Sequence, residues 1–311
     1  MAQMPTGTGD RFVSGFVSIL GRPNAGKSTL LNALVGTKVA IFSKRPQTTR
    51  TSIQGVLNLP GCQIVFLDTP GVHEAPKLIH RRMMETVRAA LPDRDLLLWI
   101  ADAAAPFTDE DARALSILQG ARPPRILLLN KIDVLRDKSA LLPLIESYSR
   151  AERFEEIIPI SAATGEGLED LKAAIIQRLP EGPQYFPPEH LTDQPERFLA
   201  AELIREKILD QTRQEVPHAV AVVVDQWEEK PRMVRIAATV YVEREGQKRI
   251  LIGTKGGMLK QTGTLARQEI ESILNRRVYL EIFVKVRPGW RENREFLNEI
   301  DWRYMAGGEA R

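Results

Sequence analysis

The run from Gly21 to Ser28 reads Gly-Arg-Pro-Asn-Ala-Gly-Lys-Ser. Glycine at the first and sixth positions, then Lys-Ser, can wrap a phosphate chain. Gly21 and Gly26 let backbone N–H groups come close, Lys27 brings a cation, and the Ser28 hydroxyl suits a hard metal ion. Asn24, Ala25 and Thr29 line the same wall. The apolar run 16–20 precedes the loop. A buried strand therefore delivers it, and a helix predicted at 27–35 aims its free N–H groups at the anion.

Three further apolar runs end in polar groups of complementary kinds. Residues 64–67 lead into Asp68-Thr69-Pro70-Gly71. A carboxylate there can accept from a metal-bound water, and Gly71 leaves its backbone N–H open to a terminal phosphate. Alone, Asp-Thr-Pro-Gly also reads as an ordinary turn. Residues 125–129 lead into Asn130-Lys131-Ile132-Asp133. Asp133 can accept from N1–H and the exocyclic amine of guanine, donors that adenine lacks, and the Lys131 stem can cover the purine face. Residues 157–160 lead into Ser161-Ala162-Ala163, where the Ala162 N–H can donate to guanine O6. Open α/β sheets bind ligands at such strand ends.

In this order and spacing the four segments resemble the P-loop GTPase family. The resemblance implies GTP binding, hydrolysis to GDP, and Mg²⁺ held by Ser28, Asp68 and a threonine of the switch segment 42–50. Thr49 is favoured over Thr48. It assigns Lys27, Thr49, Asp68, Gly71 and Asn24 to catalysis. Val72 stands where Ras-like members carry the glutamine that orients water. Asn24 matches an asparagine of potassium-using relatives, so K⁺ beside the phosphates is a further expectation.

The 311 residues suit two domains, or three small ones. The chain is 43% hydrophobic and 27% charged, with net charge +3, which permits nucleic acid without requiring it. No apolar run is long enough to span a bilayer, and residues 1–10 lack the features of a secretory signal. Cys62 is the single cysteine, so no intrachain disulfide forms, in keeping with a reducing cytoplasm. The four histidines form no ligand motif.

Alternating strands (13–20, 52–58, 62–67, 95–101, 125–130, 156–160) and helices (27–35, 75–90, 109–119, 139–149, 167–178) predict an α/β domain over 11–182 with a mostly parallel sheet. The Pro/Gly-rich stretch after Gly182 predicts a linker at 183–195. Beyond it, over 196–303, come a helix at 196–215, strands at 218–228 and 232–243, a helix at 260–274 and a strand at 277–287. Between the middle elements, Gly253-Thr254-Lys255-Gly256 matches the Gly-x-x-Gly loop of a KH module, which clamps a nucleic-acid backbone. Lys248, Arg249 and Lys260 supply a basic rim; Ile252 and Leu259 can floor an apolar groove. The order looks like the α+β type-two KH fold. A lone Gly-x-x-Gly also occurs as a helix-capping turn.

With both halves considered, the chain resembles the Era family of bacterial GTPases, from about residue 11 to about 303. That resemblance implies a switch that binds single-stranded ribosomal RNA near the 3′ end of the small-subunit RNA and assists maturation of the 30S subunit. It also implies peripheral contact with the inner membrane. A cytoplasmic monomer is expected. One P-loop and one Asn-Lys-x-Asp exclude a tandem two-GTPase factor. The alternative function is an RNA-binding module whose guanine-nucleotide site is mainly structural.

Overall fold

The computed structural model describes residues 12–305 apart from 44, 46, 47, 73–76, 214 and 215. The expected tail, part of the switch segment and the first positions of the helix predicted at 75–90 lie outside the described residues. By internal contacts the chain forms two compact units.

The first unit comprises the described residues within 1–40, 49–73 and 83–193. Its elements are β1 (Val13–Gly21), α1 (Lys27–Val35), β2 (Ile53–Leu59), β3 (Cys62–Asp68), β4 (Leu96–Asp102), α3 (Asp109–Leu115), β5 (Arg125–Asn130), α4 (Leu141–Ala151), β6 (Glu156–Ile160) and α5 (Leu168–Ile176). Helix α2 (Leu78–Ala89) enters this unit with its later turns. The strand order is β2-β3-β1-β4-β5-β6, with only β2 antiparallel to its neighbour. The central strands are apolar on both faces because helices cover both. Leu96, Leu98 and Ile100 of β4 join the core under α1 and α5, while Leu97, Trp99 and Ala101 join the core under α2, α3 and α4. Parallel strands aligned in this way bring Gly21, Asp68, Asn130 and Ser161 to one end of the sheet.

Residues 183–193 are not a free linker. They lie along the β2–β3 edge. Gln63 Oε1 accepts from the Tyr185 and Phe186 N–H groups at 2.8 and 3.0 Å, and Gln63 Nε2 donates to the Phe186 carbonyl at 2.8 Å. The Val56 N–H donates to the Leu191 carbonyl at 2.9 Å, and Thr192 Oγ1 donates to the Gln54 carbonyl at 2.7 Å. Proline had suggested a spacer; a buried glutamine and an unpaired strand edge bind it instead.

The second unit comprises the described residues within 194–311 together with those of 41–48 and 74–82. Its order is α6 (Glu196–Gln211), β7 (Ala221–Lys230), β8 (Met233–Val242), α7 (Glu245–Ile252), α8 (Gly257–Leu274), β9 (Arg277–Val286), α9 (Arg294–Glu299) and α10 (Trp302–Met305). The sheet runs β7-β8-β9, with β7 antiparallel and β9 parallel to β8. Ile204 and Ile208 of α6, Ala266 and Ile270 of α8, and alternate residues of all three strands form the core. Ile41 is buried in the same core.

This is the αββααβ order of a KH domain, and it differs from expectation at α7, which the sequence reading did not place, and at two further points. Helix α8 begins at Gly257 rather than Lys260. The C-terminal end also folds further: Asn293 Oδ1 accepts from the Phe296 N–H at 2.8 Å to cap α9, and Trp290 Nε1 donates to the Ala219 carbonyl at 3.0 Å.

Candidate functional site

The loop after β1 closes on itself. Lys27 Nζ donates to the carbonyls of Gly21 (3.1 Å) and Arg22 (2.9 Å). Gly21 (φ 149°) and Gly26 (φ 104°) hold backbone conformations that side chains rarely adopt. Asn24 is also left-handed (φ 63°), which asparagine tolerates. Arg22 pairs with Asp111 on α3 at 2.9 Å and with Glu110, fixing one flank. Burial pulls the Lys27 ammonium down to a pKa of about 8, with Asp68 opposing. An anion between the two would restore the ordinary charged lysine.

Three of the residues expected to hold a metal converge. Ser28 Oγ donates to Asp68 Oδ2 at 2.6 Å. Thr49 Oγ1 lies 2.8 Å from Ser28 Oγ and 3.3 Å from Asp68 Oδ2. Thr48 Oγ1 instead donates to the Arg45 carbonyl at 2.7 Å. Burial pushes Asp68 up to about 6, against Lys27 and the two hydroxyls. Asp68 Oδ1 is buried with no hydrogen-bond partner among the described residues. An unsatisfied carboxylate oxygen beside two hydroxyls is the hard-oxygen donor set that Mg²⁺ takes.

Gly71 approaches the loop closely: a Cβ there would lie 2.7 Å from the Pro23 nitrogen. The next residue, Val72, donates its N–H to the Gly21 carbonyl at 3.0 Å and is buried. Its side chain has no group with which to orient water.

At the end where base reading was expected, Ser161 Oγ donates to Asp133 Oδ1 at 2.6 Å and holds that carboxylate in place. Lys131 is left-handed (φ 71°), and its Nζ pairs with Asp102 at 2.6 Å. The Ala162 N–H, expected to face guanine O6, is already engaged: it donates to Asn130 Oδ1 at 2.9 Å. Asn130 Nδ2 donates to the Ala25 carbonyl at 2.8 Å. Asn130 is thus a strap that joins the phosphate loop to the 161–163 turn. The sequence reading assigned it to the ligand. The missed signal is Gly26, where a Cβ would lie 2.2 Å from Asn130 Nδ2.

In the second unit, the Gly253–Gly256 turn joins α7 to α8. Gly253 (φ 70°), Lys255 (φ 50°) and Gly256 (φ 76°) are all left-handed. The turn exposes Thr254 and Lys255 and leaves the first N–H groups of α8 uncovered by any side-chain cap. Arg249 and Lys260 are exposed beside it; Lys248, Ile252 and Leu259 are half-buried. Helix α7 was not placed from sequence. Its start is fixed by Gln247 Oε1, which accepts from the Glu243 and Arg244 N–H groups at 2.9 and 3.0 Å.

Two family descriptions match the chain: a 50S ribosome-binding GTPase over residues 16–131 and a KH domain over 215–291. GTPase Era of Geobacter metallireducens is 49% identical over 293 residues, 94% of this chain and 98% of that protein. GTPase Era of Heliobacterium modesticaldum is 46% identical over 94% of this chain and 97% of its own length. Among solved structures, an Aquifex aeolicus Era variant bound to GDP and AlF₄⁻ superposes with TM-score 0.89 at 41% identity, over 94% of this chain and 99% of that one. Era in complex with MgGDPNP and nucleotides 1506–1542 of 16S ribosomal RNA gives the same values. A Gly-rich loop at a strand end, an Asn-Lys-x-Asp segment and a Gly-x-x-Gly turn in one chain, with relatives matched nearly end to end, lead to one conclusion: the protein is a GTPase and belongs to the Era family.

Proposed function

We propose that this chain is a GTP-driven switch that grips single-stranded RNA near the 3′ end of 16S ribosomal RNA and assists maturation of the 30S subunit in the cytoplasm. The observation that carries the nucleotide half is the convergence of Ser28 and Thr49 on the unsatisfied Asp68 carboxylate. These three would hold Mg²⁺, which neutralises charge between the β- and γ-phosphates when bound. Lys27 binds the phosphates, Asp133 reads the base, and the N–H after Pro70 meets the γ-phosphate. With Val72 unable to orient water, unassisted turnover is slow. Asn24 would help seat K⁺ against the phosphates; equal turnover in potassium and sodium at matched ionic strength removes that role.

The RNA half is supported by the exposed Gly253–Gly256 turn and its basic rim, and by the relative solved with a 16S fragment. The chain itself supports coupling. The described residues of 41–48 pack within the second unit: the Phe42 N–H donates to Glu206 Oε1 at 3.0 Å, Arg45 donates to the Thr212 carbonyl at 2.8 Å, and Arg205 donates to the Thr48 carbonyl. The next residue is Thr49. A non-hydrolysable GTP analogue should tighten RNA relative to GDP by about 1–3 kcal/mol, and RNA should tighten the analogue equally. The test is titration of the 1506–1542 RNA fragment against the apo, GDP and analogue states, with phosphate release measured in parallel. Identical RNA affinities in all three states, with turnover unaltered by RNA, would replace the switch by an RNA-binding module with a separate nucleotide site.

A further inference from the structure

The sheet of the second unit has two faces, and the helices α6 and α8 cover only one. On β9, Val278, Leu280, Ile282, Val284 and Val286 face the core. The alternate residues face outward, and pairing across the sheet sets their rows: Arg235 beside Tyr279, Ala237 beside Glu281, Thr239 beside Phe283, and Tyr241 beside Lys285. At the Tyr241 row this outer face is closed by the C-terminal end, where the Phe296 ring meets Tyr241 edge-on at 4.9 Å. Thr239 and Ala237 of β8 are buried on this face as well, and its open surface is on β9. Tyr279 is 48% exposed and Phe283 54%.

The open rows alternate ring and charge. Along β9 the outward residues run Arg277, Tyr279, Glu281, Phe283, Lys285. The Arg235 guanidinium lies 5.7 Å from the Tyr279 ring centroid and pairs with Glu281 at 3.0 Å, so the acid is neutralised and Arg277 and Lys285 remain at either end. Tyr279 and Phe283 are four residues apart, about 13 Å along the strand. Two separate rings bracketed by cations make a poor centre for a protein interface, which prefers contiguous apolar area without charge. They make a good stacking platform, because each base has a π-face and each phosphate a charge. Strand β9 is also the free edge of the sheet, and its inner-face Ile282 packs near Gly263 on α8, the helix that starts at the Gly253–Gly256 turn. Strand β9 thus carries the platform on one face and the helix of the proposed RNA grip on the other.

We propose that the outer face of β9, through Tyr279 and Phe283 with Arg235, Arg277 and Lys285, is a second seat for single-stranded RNA. It takes nucleotides that extend beyond those held at the Gly253–Gly256 turn. This rests on the reading of the second unit as RNA-binding.

The test uses the full chain and two labelled probes: a long single strand ending at the 16S 3′ terminus, and the shortest truncation of it that the wild type still binds. In Tyr279→Ala/Phe283→Ala, affinity for the long strand should fall by roughly tenfold or more, given what base–aromatic stacking contributes. Affinity for the short strand should not change, and the rings' exposure predicts an unaltered melting temperature. Tyr279→Phe/Phe283→Trp should restore long-strand binding. Equal long-strand affinity in wild type and the alanine variant would overturn the second seat while leaving the grip intact. So would loss of ribosomal-subunit binding with long-strand affinity unchanged, which would give the face to a protein. A wild type that does not bind the long strand would overturn the RNA reading of the whole unit, and this seat with it.

Discussion

The candidate nucleotide site and the Gly253–Gly256 turn use glycine for opposite reasons. At Gly26 a side chain would strike Asn130, the strap between the phosphate loop and the 161–163 turn. At Gly256 the backbone is equally left-handed, yet a Cβ would meet nothing within 4 Å. The first site is built inward, with Lys27, Thr49, Asp68, Asn130 and Ser161 all buried. The second is built outward, with Thr254 and Lys255 exposed. A buried site penalises the wrong ligand by leaving polar groups unpaired. An exposed turn penalises it little, and its affinity is mostly phosphate charge.

The largest effect should come from Gly26→Ala. Left-handed alanine costs about 1–2 kcal/mol and loss of the Asn130 bonds about 1–3 more, so the loop should abandon its conformation. Nucleotide affinity, read by titration with fluorescent GDP, should fall by about a hundredfold or more. Wild-type binding would break the contrast at its firmest point.

Next comes Asp133→Asn, which puts a donor opposite the guanine amine. GTP should weaken by about 2–4 kcal/mol, and xanthine nucleotide should gain relative affinity. Calorimetry with both nucleotides decides it; unchanged GTP affinity removes Asp133 from base reading.

Thr254→Asp/Lys255→Asp should act only on RNA. Affinity for single-stranded RNA should drop by roughly tenfold, and its salt dependence should flatten by about one contact. GDP affinity should hold. Intact RNA binding would move the interface away from this turn.

The smallest effect should be Gly256→Ala, which adds backbone strain of about 1–2 kcal/mol and no collision. Thermal melting should show a modest loss, with RNA affinity within a few-fold. A collapse as large as that of Gly26→Ala would show that the open turn is more constrained than its surroundings indicate.

The first unit was legible because each ligand group follows a strand that is apolar on both faces, so motif and element confirm each other in the chain. Thr49 was the one switch residue that could be preferred, and its hydroxyl lies beside Ser28 and Asp68. What stayed hidden were bonds between distant residues of intermediate character. Nothing near Asn130 announces a strap to Ala25, 105 positions away. Nothing in the Pro-rich stretch shows that Gln63 will hold it. Helix α7 was obscured because its cap is an arginine whose backbone is served by Gln247, an end without the Ser, Thr, Asp or Asn that usually marks one. The exposed rings of β9 read in sequence as ordinary strand residues.

The stretch 183–193 also decides where the GTPase half can be cut. Strand β2 is the outermost of its sheet, and its outer N–H and C=O groups are occupied by this stretch at Val56 and Gln54. A fragment ending at Gly182, where the last helix has finished, would keep every nucleotide-binding residue and yet bare a strand edge open to another copy. Extending the fragment to Asp193 would carry its own edge protection. The practical boundary of the nucleotide-binding half is therefore set by solubility, about one strap-length beyond the last residue that touches its chemistry.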